Sequence, residues 1–170
     1  MFVYDNDLLA QWIGFQLGRQ FHPPYQCIGV VRGEDLVAAA LFNNYDHPNI
    51  EITFVTTSPR WASRQAVARI LGYPFIELGC RRITAVTGKK NRRTRDFLGR
   101  LGFAEEGYHR ELFERDDGVS YGLLKRDAEK WLESYHVKGT IPACSTGPLH
   151  DGRGGSEIQH SDRHRERPPE

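Results

Sequence analysis

Residues 50–57 form an extended run, Ile-Glu-Ile-Thr-Phe-Val-Thr-Thr, that stops at Ser58-Pro59 and gives way almost at once to a helical pattern. A strand that feeds a helix directly needs a neighbouring strand for the crossover to return to. This junction therefore limits the chain to folds that layer helices on a sheet. Upstream, two extended runs, 26–31 and 36–42, flank the polar turn Arg32-Gly33-Glu34-Asp35, which predicts a hairpin. Before them, Asp5 or Asn6 can cap a helix whose Leu8, Leu9, Trp12, Ile13 and Phe15 fall roughly three to four apart. Downstream, residues 61–78 read as a helix with Ala62, Ala66, Val67, Ile70 and Leu71 on one face, kinked or split at Pro74. A strand over 82–86 follows, then a helix capped by Asn91, carrying Phe97, Leu98 and Leu101, and ended by Gly102. Strands over 108–114 and 119–124 flank the turn Asp116-Asp117-Gly118, and a last helix covers 127–135. An antiparallel meander followed by a crossover unit gives an α+β layered sheet.

Charge and composition exclude several partners. The 170 residues carry 23 Lys and Arg against 22 Asp and Glu, a net charge of +1, so no bulk charge points to nucleic acid or a membrane surface. The longest apolar run, 36–42, is far short of the ~20 residues a membrane span needs. The first residues, Met-Phe-Val-Tyr-Asp-Asn-Asp, do not read as a secretory leader. Three cysteines without paired spacing argue against a disulfide framework, and no His/Cys/Asp spacing reads as a metal site. The expectation is a soluble protein of a reducing compartment, the cytoplasm. Residues 137–170 contain only six apolar residues against nine Pro or Gly, too few to offset the entropy of ordering. The expected division is a folded domain over 1–136 and a polar tail over 137–170. Order in that tail would require a protein partner or an assembly.

Three places suit chemistry. At Arg60-Trp61-Ala62-Ser63-Arg64-Gln65-Ala66 a helix opens from a strand, so unpaired amides and a positive dipole end can receive phosphate. Ala62, Ser63 and Ala66 allow close approach, and Arg60 and Arg64 add charge; the plainer reading is a loop with exposed arginines. Residues 81–100 carry eight Lys or Arg against Asp96 alone, and Lys89-Lys90-Asn91-Arg92-Arg93 again suits phosphate. Aromatics do not interleave with these bases, which disfavours nucleic acid, and a solvated helix face explains them equally well. Glu51 opens an otherwise apolar and threonine strand, where partial burial raises a carboxylate toward the range of a general base. His47 is a second candidate base. Tyr108 and Tyr121 are candidate phenolic acids, although tyrosines at such positions more often pack.

A family resemblance gathers these places together. Residues 51–59, the 60–66 junction, Tyr73-Pro74-Phe75, Arg82-Ile83-Thr84-Ala85, Asn91-Arg92-Arg93-Thr94-Arg95 and Leu101-Gly102-Phe103-Ala104-Glu105-Glu106-Gly107 together resemble the core of the GNAT N-acetyltransferase superfamily. The likeness is closest to small bacteriophage and prophage GNAT-like proteins. It implies a GNAT-like, mostly antiparallel mixed sheet with a central splay and helices on both faces. It further implies acetyl-CoA as cofactor, with the pantetheine arm along Val55, Thr56 and Thr57. The pyrophosphate would lie on Arg60, Ala62, Ser63, Arg64, Gln65 and Ala66, and Asn91 would touch the cofactor. Glu51 matches the position often used as general base, and a backbone amide near Thr56 would stabilise the oxyanion. The family's glycine-rich loop reads Ala62-Ser63-Arg64-Gln65-Ala66-Val67 here, without a glycine, and its acid tyrosine aligns with Leu98. Thr94, Tyr108 or water would replace that acid.

The implied function is acetyl-CoA-dependent transfer to an amine that the sequence does not identify. The alternatives are a non-catalytic GNAT-fold structural or interaction protein, such as a phage particle component, and a nucleic-acid-modifying enzyme on the same scaffold. For a phage-encoded chain, the host cytoplasm or the virion would be the location.

Overall fold

The computed structural model describes residues 1–135. Its first helix, α1 (Asn6–Leu17), is capped by Asp5, whose carboxylate accepts from Leu8 N at 3.0 Å, and it ends at Gly18 with φ 63°. Strands β2 (Gln26–Arg32) and β3 (Asp35–Asp46) form the expected hairpin, paired Cys27↔Leu41 and Gly29↔Ala39. A two-residue strand β1 (Phe2–Val3) adds to the free edge of β2; two residues leave no periodicity for the sequence to show.

Successive residues of β2 and β3 face opposite sides, so the two strands feed two cores. Cys27, Ala39 and Leu41 pack with Leu9, Ala10 and Ile13 of α1 on one face. Ile28, Val30, Ala38, Ala40 and Phe42 join the larger core on the other. Gly29 admits α1 closely, for a Cβ there would lie 2.7 Å from Leu9 Cδ2.

Strand β4 (Asn49–Thr56) runs antiparallel to β3 and leads through a short 3-10 turn, Pro59–Trp61, into α2 (Arg64–Gly72). Pro74 splits the long helix expected over 61–78: α2 stops at Gly72 and a single π turn, Tyr73–Glu77, follows. Strand β5 (Arg82–Gly88) and helix α3 (Arg92–Leu101) come next, the helix capped by Asn91 and closed by Gly102 at φ 107°.

Strands β6 (Ala104–Phe113) and β7 (Asp116–Leu124) turn at Glu114-Arg115, ahead of the expected Asp116-Asp117-Gly118. The acids lie inside β7 because they satisfy backbone donors: Asp116 accepts from Lys90 N at 2.9 Å and Asp117 from Glu111 N at 2.9 Å. In place of one last helix there is a 3-10 turn, Lys125–Ala128, and a four-residue helix α4 (Glu129–Leu132).

The seven strands run in the order β1-β2-β3-β4-β5-β7-β6, and only β4 and β5 are parallel. Helices α2 and α3 bury Val67, Ile70, Leu71, Leu98 and Leu101 in the larger core, opposite α1. The sheet is mixed and mostly antiparallel with helices on both faces, the expected α+β arrangement. No helix among the described residues is long and apolar enough to cross a membrane. The expected tail over 137–170, with Cys144, lies outside the described residues.

Candidate active site

The parallel pairing of β4 with β5 lasts three residues, from Asn49↔Arg82 to Glu51↔Thr84. Beyond Glu51 the strands part while β4 stays paired to β3 as far as Thr56↔Ala38. The N–H of Thr57 donates to Val37 O at 3.0 Å. Because main-chain groups alternate sides along a strand, those of Ile52, Phe54 and Thr56 turn toward the gap. The parting opens a cavity of about 560 Å³ between β4, β5 and α3.

Glu51 stands at the apex of the gap, at the last paired register. It is half-buried, lines the cavity, and accepts from Asn44 Nδ2 at 3.0 Å. The register of β3 shifts between Asn43 and Asp46, and Asn44 takes φ 48° within that irregularity. Thr53, two residues on and therefore on the same face as Glu51, accepts from Arg19 Nη2 at 3.2 Å. Arg19 follows the helix-ending Gly18, stacks its guanidinium 4.4 Å from the Phe21 ring centre and also lines the cavity. Sequence reading misses Arg19, because nothing in Gly-Arg-Gln-Phe distinguishes a site arginine from a solvated one. Loss of water lowers its pKa, although the residue as a whole is exposed, and attraction to Glu51 raises it in part.

On the opposite face, Phe54, Trp61 and Phe97 pack ring to ring across the gap, with centroids 4.5 to 6.3 Å apart. Residue 97 belongs to α3 and 61 to the 3-10 turn, so this contact ties both to β4.

The start of α2 can be accounted for donor by donor. Ala62 N bonds to Pro59 O, Ser63 N to Trp61 O, Ala66 N to Ser63 Oγ and Val67 N to Ser63 O. The amides of Arg64 and Gln65 have no partner among the described residues and remain for an anion. Ser63 Oγ also accepts from Arg32 Nη2 at 3.1 Å, which brings a third arginine to this helix start. Arg64 turns the other way: its Nε donates to Ser134 Oγ at 2.6 Å and its Nη2 to Lys130 O at 2.7 Å, and Glu133 completes an ion pair. Arg60 and Gln65 are exposed and Ala66 is buried.

Of the other expected residues, Asn91 and Thr94 line the cavity, and Asn91 Oδ1 accepts from Thr94 N at 3.2 Å as the α3 cap. Val55 packs against the α1 core, while Thr56 Oγ1 donates to Ser58 O at 2.8 Å. Tyr108 does not line the cavity; it bonds to Asp117 and stacks with Lys89. Tyr121 is buried between Glu105 and Arg95. His47 is exposed and away from the lining. Much of the 81–100 basic cluster is consumed internally, Arg82 by Glu106, Arg95 by Glu105, and Lys90 by Arg115 O. Cys27 and Cys80 are buried, and burial pushes the Cys80 thiol up to about 11.

The acetyltransferase (GNAT) family profile matches residues 3–103, more than half of the chain. The chain belongs to the GNAT family. No curated protein matches it in sequence. Solved structures share its fold. A dodecameric spermidine N-acetyltransferase from Vibrio cholerae superposes with a TM-score of 0.61 at 16% identity, over 80% of this chain and 98% of that one. A GCN5-related N-acetyltransferase from Brucella melitensis superposes with a TM-score of 0.54 at 21% identity, over 64% of this chain and 54% of that one. The chain spans 65% and 62% of the length of two further solved chains that it resembles in fold. In GNAT terms, the parted β4 and β5 are the splay that the sequence resemblance implies.

Proposed function

We propose that this GNAT chain is an acetyl-CoA-dependent N-acetyltransferase that transfers the acetyl group to an amine by direct attack. One observation carries the reading: the free edge of β4 borders a cavity whose apex holds Glu51. The donor set suits acetyl-CoA. Main-chain groups of Ile52, Phe54 and Thr56 can pair with the amides of a pantetheine arm, and the Arg64 and Gln65 amides with Arg60 suit its phosphates. Acetyl-CoA supplies the activated thioester carbonyl.

Glu51, directly or through water, takes a proton from the acceptor ammonium, which frees the nitrogen lone pair for attack. A β4 amide on the gap side, Phe54 or Thr56, stabilises the charge that develops on the carbonyl oxygen. With Tyr108 engaged by Asp117, Thr94 or a water is the proton donor to the departing thiolate. The enzyme works in the cytoplasm, where acetyl-CoA is available.

Calorimetric titration with acetyl-CoA tests the reading, and Glu51→Gln tests the base. A second reading rests on a specific observation: the Ala62 and Ser63 amides are closed on Pro59 and Trp61 carbonyls in a loop that has no glycine. A chain that keeps the GNAT fold as a structural or interaction protein, of phage origin or otherwise, would tolerate this closure. It would give no thermal shift with millimolar acetyl-CoA.

A further inference from the structure

The cavity between β4 and β5 is lined almost wholly by uncharged residues; among the described lining residues only Arg19 and Glu51 carry charge. The two do not touch. Among the described residues Arg19 makes no ion pair, and Glu51 is engaged by Asn44, so each attracts the other across an open interval. Arg19 is held instead by Thr53 Oγ1 and the Phe21 ring, which leaves most of its five N–H donors uncommitted. Thr53 lies two residues along β4 from Glu51, so the guanidinium is anchored roughly 7 Å from the carboxylate's strand position.

We infer that the acceptor is an amine that itself bears a carboxylate, such as a free amino acid, with its carboxylate on Arg19 and its ammonium on Glu51. This inference rests on the acetyltransferase reading above. A guanidinium binds a carboxylate through two parallel N–H bonds, which fixes orientation as well as charge. One cation and one anion at this spacing match a zwitterion. A polyamine meets the opposite arrangement: one carboxylate for several ammonium groups, and a partly desolvated guanidinium that repels them. The fold is shared with a spermidine N-acetyltransferase, yet the charges in this cavity argue for a different acceptor.

In the reaction, Glu51 removes one ammonium proton and the nitrogen lone pair forms a C–N bond to the acetyl carbonyl carbon. The C–S bond breaks with its electrons on sulfur, and the second amine proton reaches the thiolate. The products are the N-acetylated acid, free coenzyme A and one proton released by Glu51.

The test pairs L-alanine, β-alanine and L-phenylalanine with their carboxamides, and includes spermidine, on the full chain and on Arg19→Gln, Arg19→Lys and Thr53→Val. In acetyl transfer the wild type should prefer at least one acid over its amide by tenfold or more in kcat/KM. Arg19→Gln should reduce that ratio at least tenfold, through KM, with Arg19→Lys restoring part and Thr53→Val weakening it. Calorimetry with the same acids, without acetyl-CoA, should show binding to the wild type that weakens at least tenfold in Arg19→Gln. Spermidine as the best acceptor, equal use of acid and amide, an unchanged ratio in Arg19→Gln, or no binding of any acid overturns the inference. If acetyl-CoA binds and spermidine is acetylated best, the acetyltransferase reading stands and this inference alone falls. If acetyl-CoA does not bind, that reading falls, and the calorimetric arm still decides whether Arg19 holds a carboxylate.

Discussion

Glu51 owes its placement to two neighbours that local sequence patterns do not connect to it. The irregularity at Asn44 supplies its hydrogen bond, and the end of the β4–β5 pairing exposes it to the cavity. Glu51→Gln keeps the volume and the Asn44 contact while removing the basic oxygen. It should lower kcat by about 10²–10⁴-fold and leave acetyl-CoA affinity within about twofold, read by steady-state kinetics beside calorimetry. Retained turnover would move the base elsewhere. Arg64 follows a different logic. On sequence alone it is either a phosphate ligand in the first turn of a helix or an exposed loop arginine; in the fold its guanidinium reaches Lys130 O and Ser134. Its partners lie nearly seventy positions along the chain, and no local pattern encodes such a contact. Since the pair with Glu133 is exposed, Arg64→Ala should cost only about 1 kcal/mol, measured by urea unfolding. A large loss of acetyl-CoA affinity in that variant would show instead that Arg64 swings to the phosphates.

At the level of elements, caps and turns were the most legible part. Asp5, Asn91 and Gly102 bound their helices as their chemistry requires, and the 26–42 hairpin is turned by its polar tetrapeptide. The β6–β7 turn was not legible. Asp116-Asp117-Gly118 has turn chemistry, but its acids are drawn into capping Lys90 and Glu111, and the reversal moves to Glu114-Arg115. Ser63 is the hinge of the α2 start, accepting from Ala66 N and Arg32. Ser63→Ala should cost about 1 kcal/mol and lower Tm accordingly.

The β6–β7 hairpin also carries a pH dependence. Hydrogen bonds from Tyr121 and Arg95 lower the Glu105 pKa, bonds from Arg82 lower that of Glu106, and Tyr108 with the Glu111 amide lowers that of Asp117. A depressed folded pKa stabilises above the ordinary carboxylate value, 4.5 for the two glutamates, and that contribution is lost as pH falls through the lowered values. Amide protection factors in β6 should therefore fall below about pH 4.5 before those on the α1 side of the sheet. Simultaneous exchange of both would contradict a local effect.

Across the whole molecule, one knot around a buried arginine ties Tyr4 and Tyr135 to α2. Arg69, 5% exposed, donates to Tyr4 Oη at 2.9 Å, Tyr135 Oη at 2.7 Å and Glu77 Oε1 at 2.7 Å. Tyr135 packs against Gly72, where a Cβ would overlap its ring. Arg69→Ala takes the buried donor from Tyr4, while Glu77 reaches solvent and keeps its bond from Tyr135, so the loss should be about 1–3 kcal/mol in urea unfolding. Deleting residues 137–170, whose composition is too polar to form a core, should leave Tm unchanged, whereas deleting from Lys130 onward should lower it by removing Trp131 and Tyr135. The layered α+β fold was legible because α1 to α3 and the strands β2 to β5 carry their own period and punctuation. The cavity was not, since it arises where two strands stop pairing and where Arg19 arrives from the far end of α1. Calorimetric titration of the full chain with acetyl-CoA bears most directly on the account. It predicts saturable binding, retained in Glu51→Gln and weakened at least tenfold by Arg60→Glu; no heat of binding and no thermal shift at millimolar acetyl-CoA would contradict it.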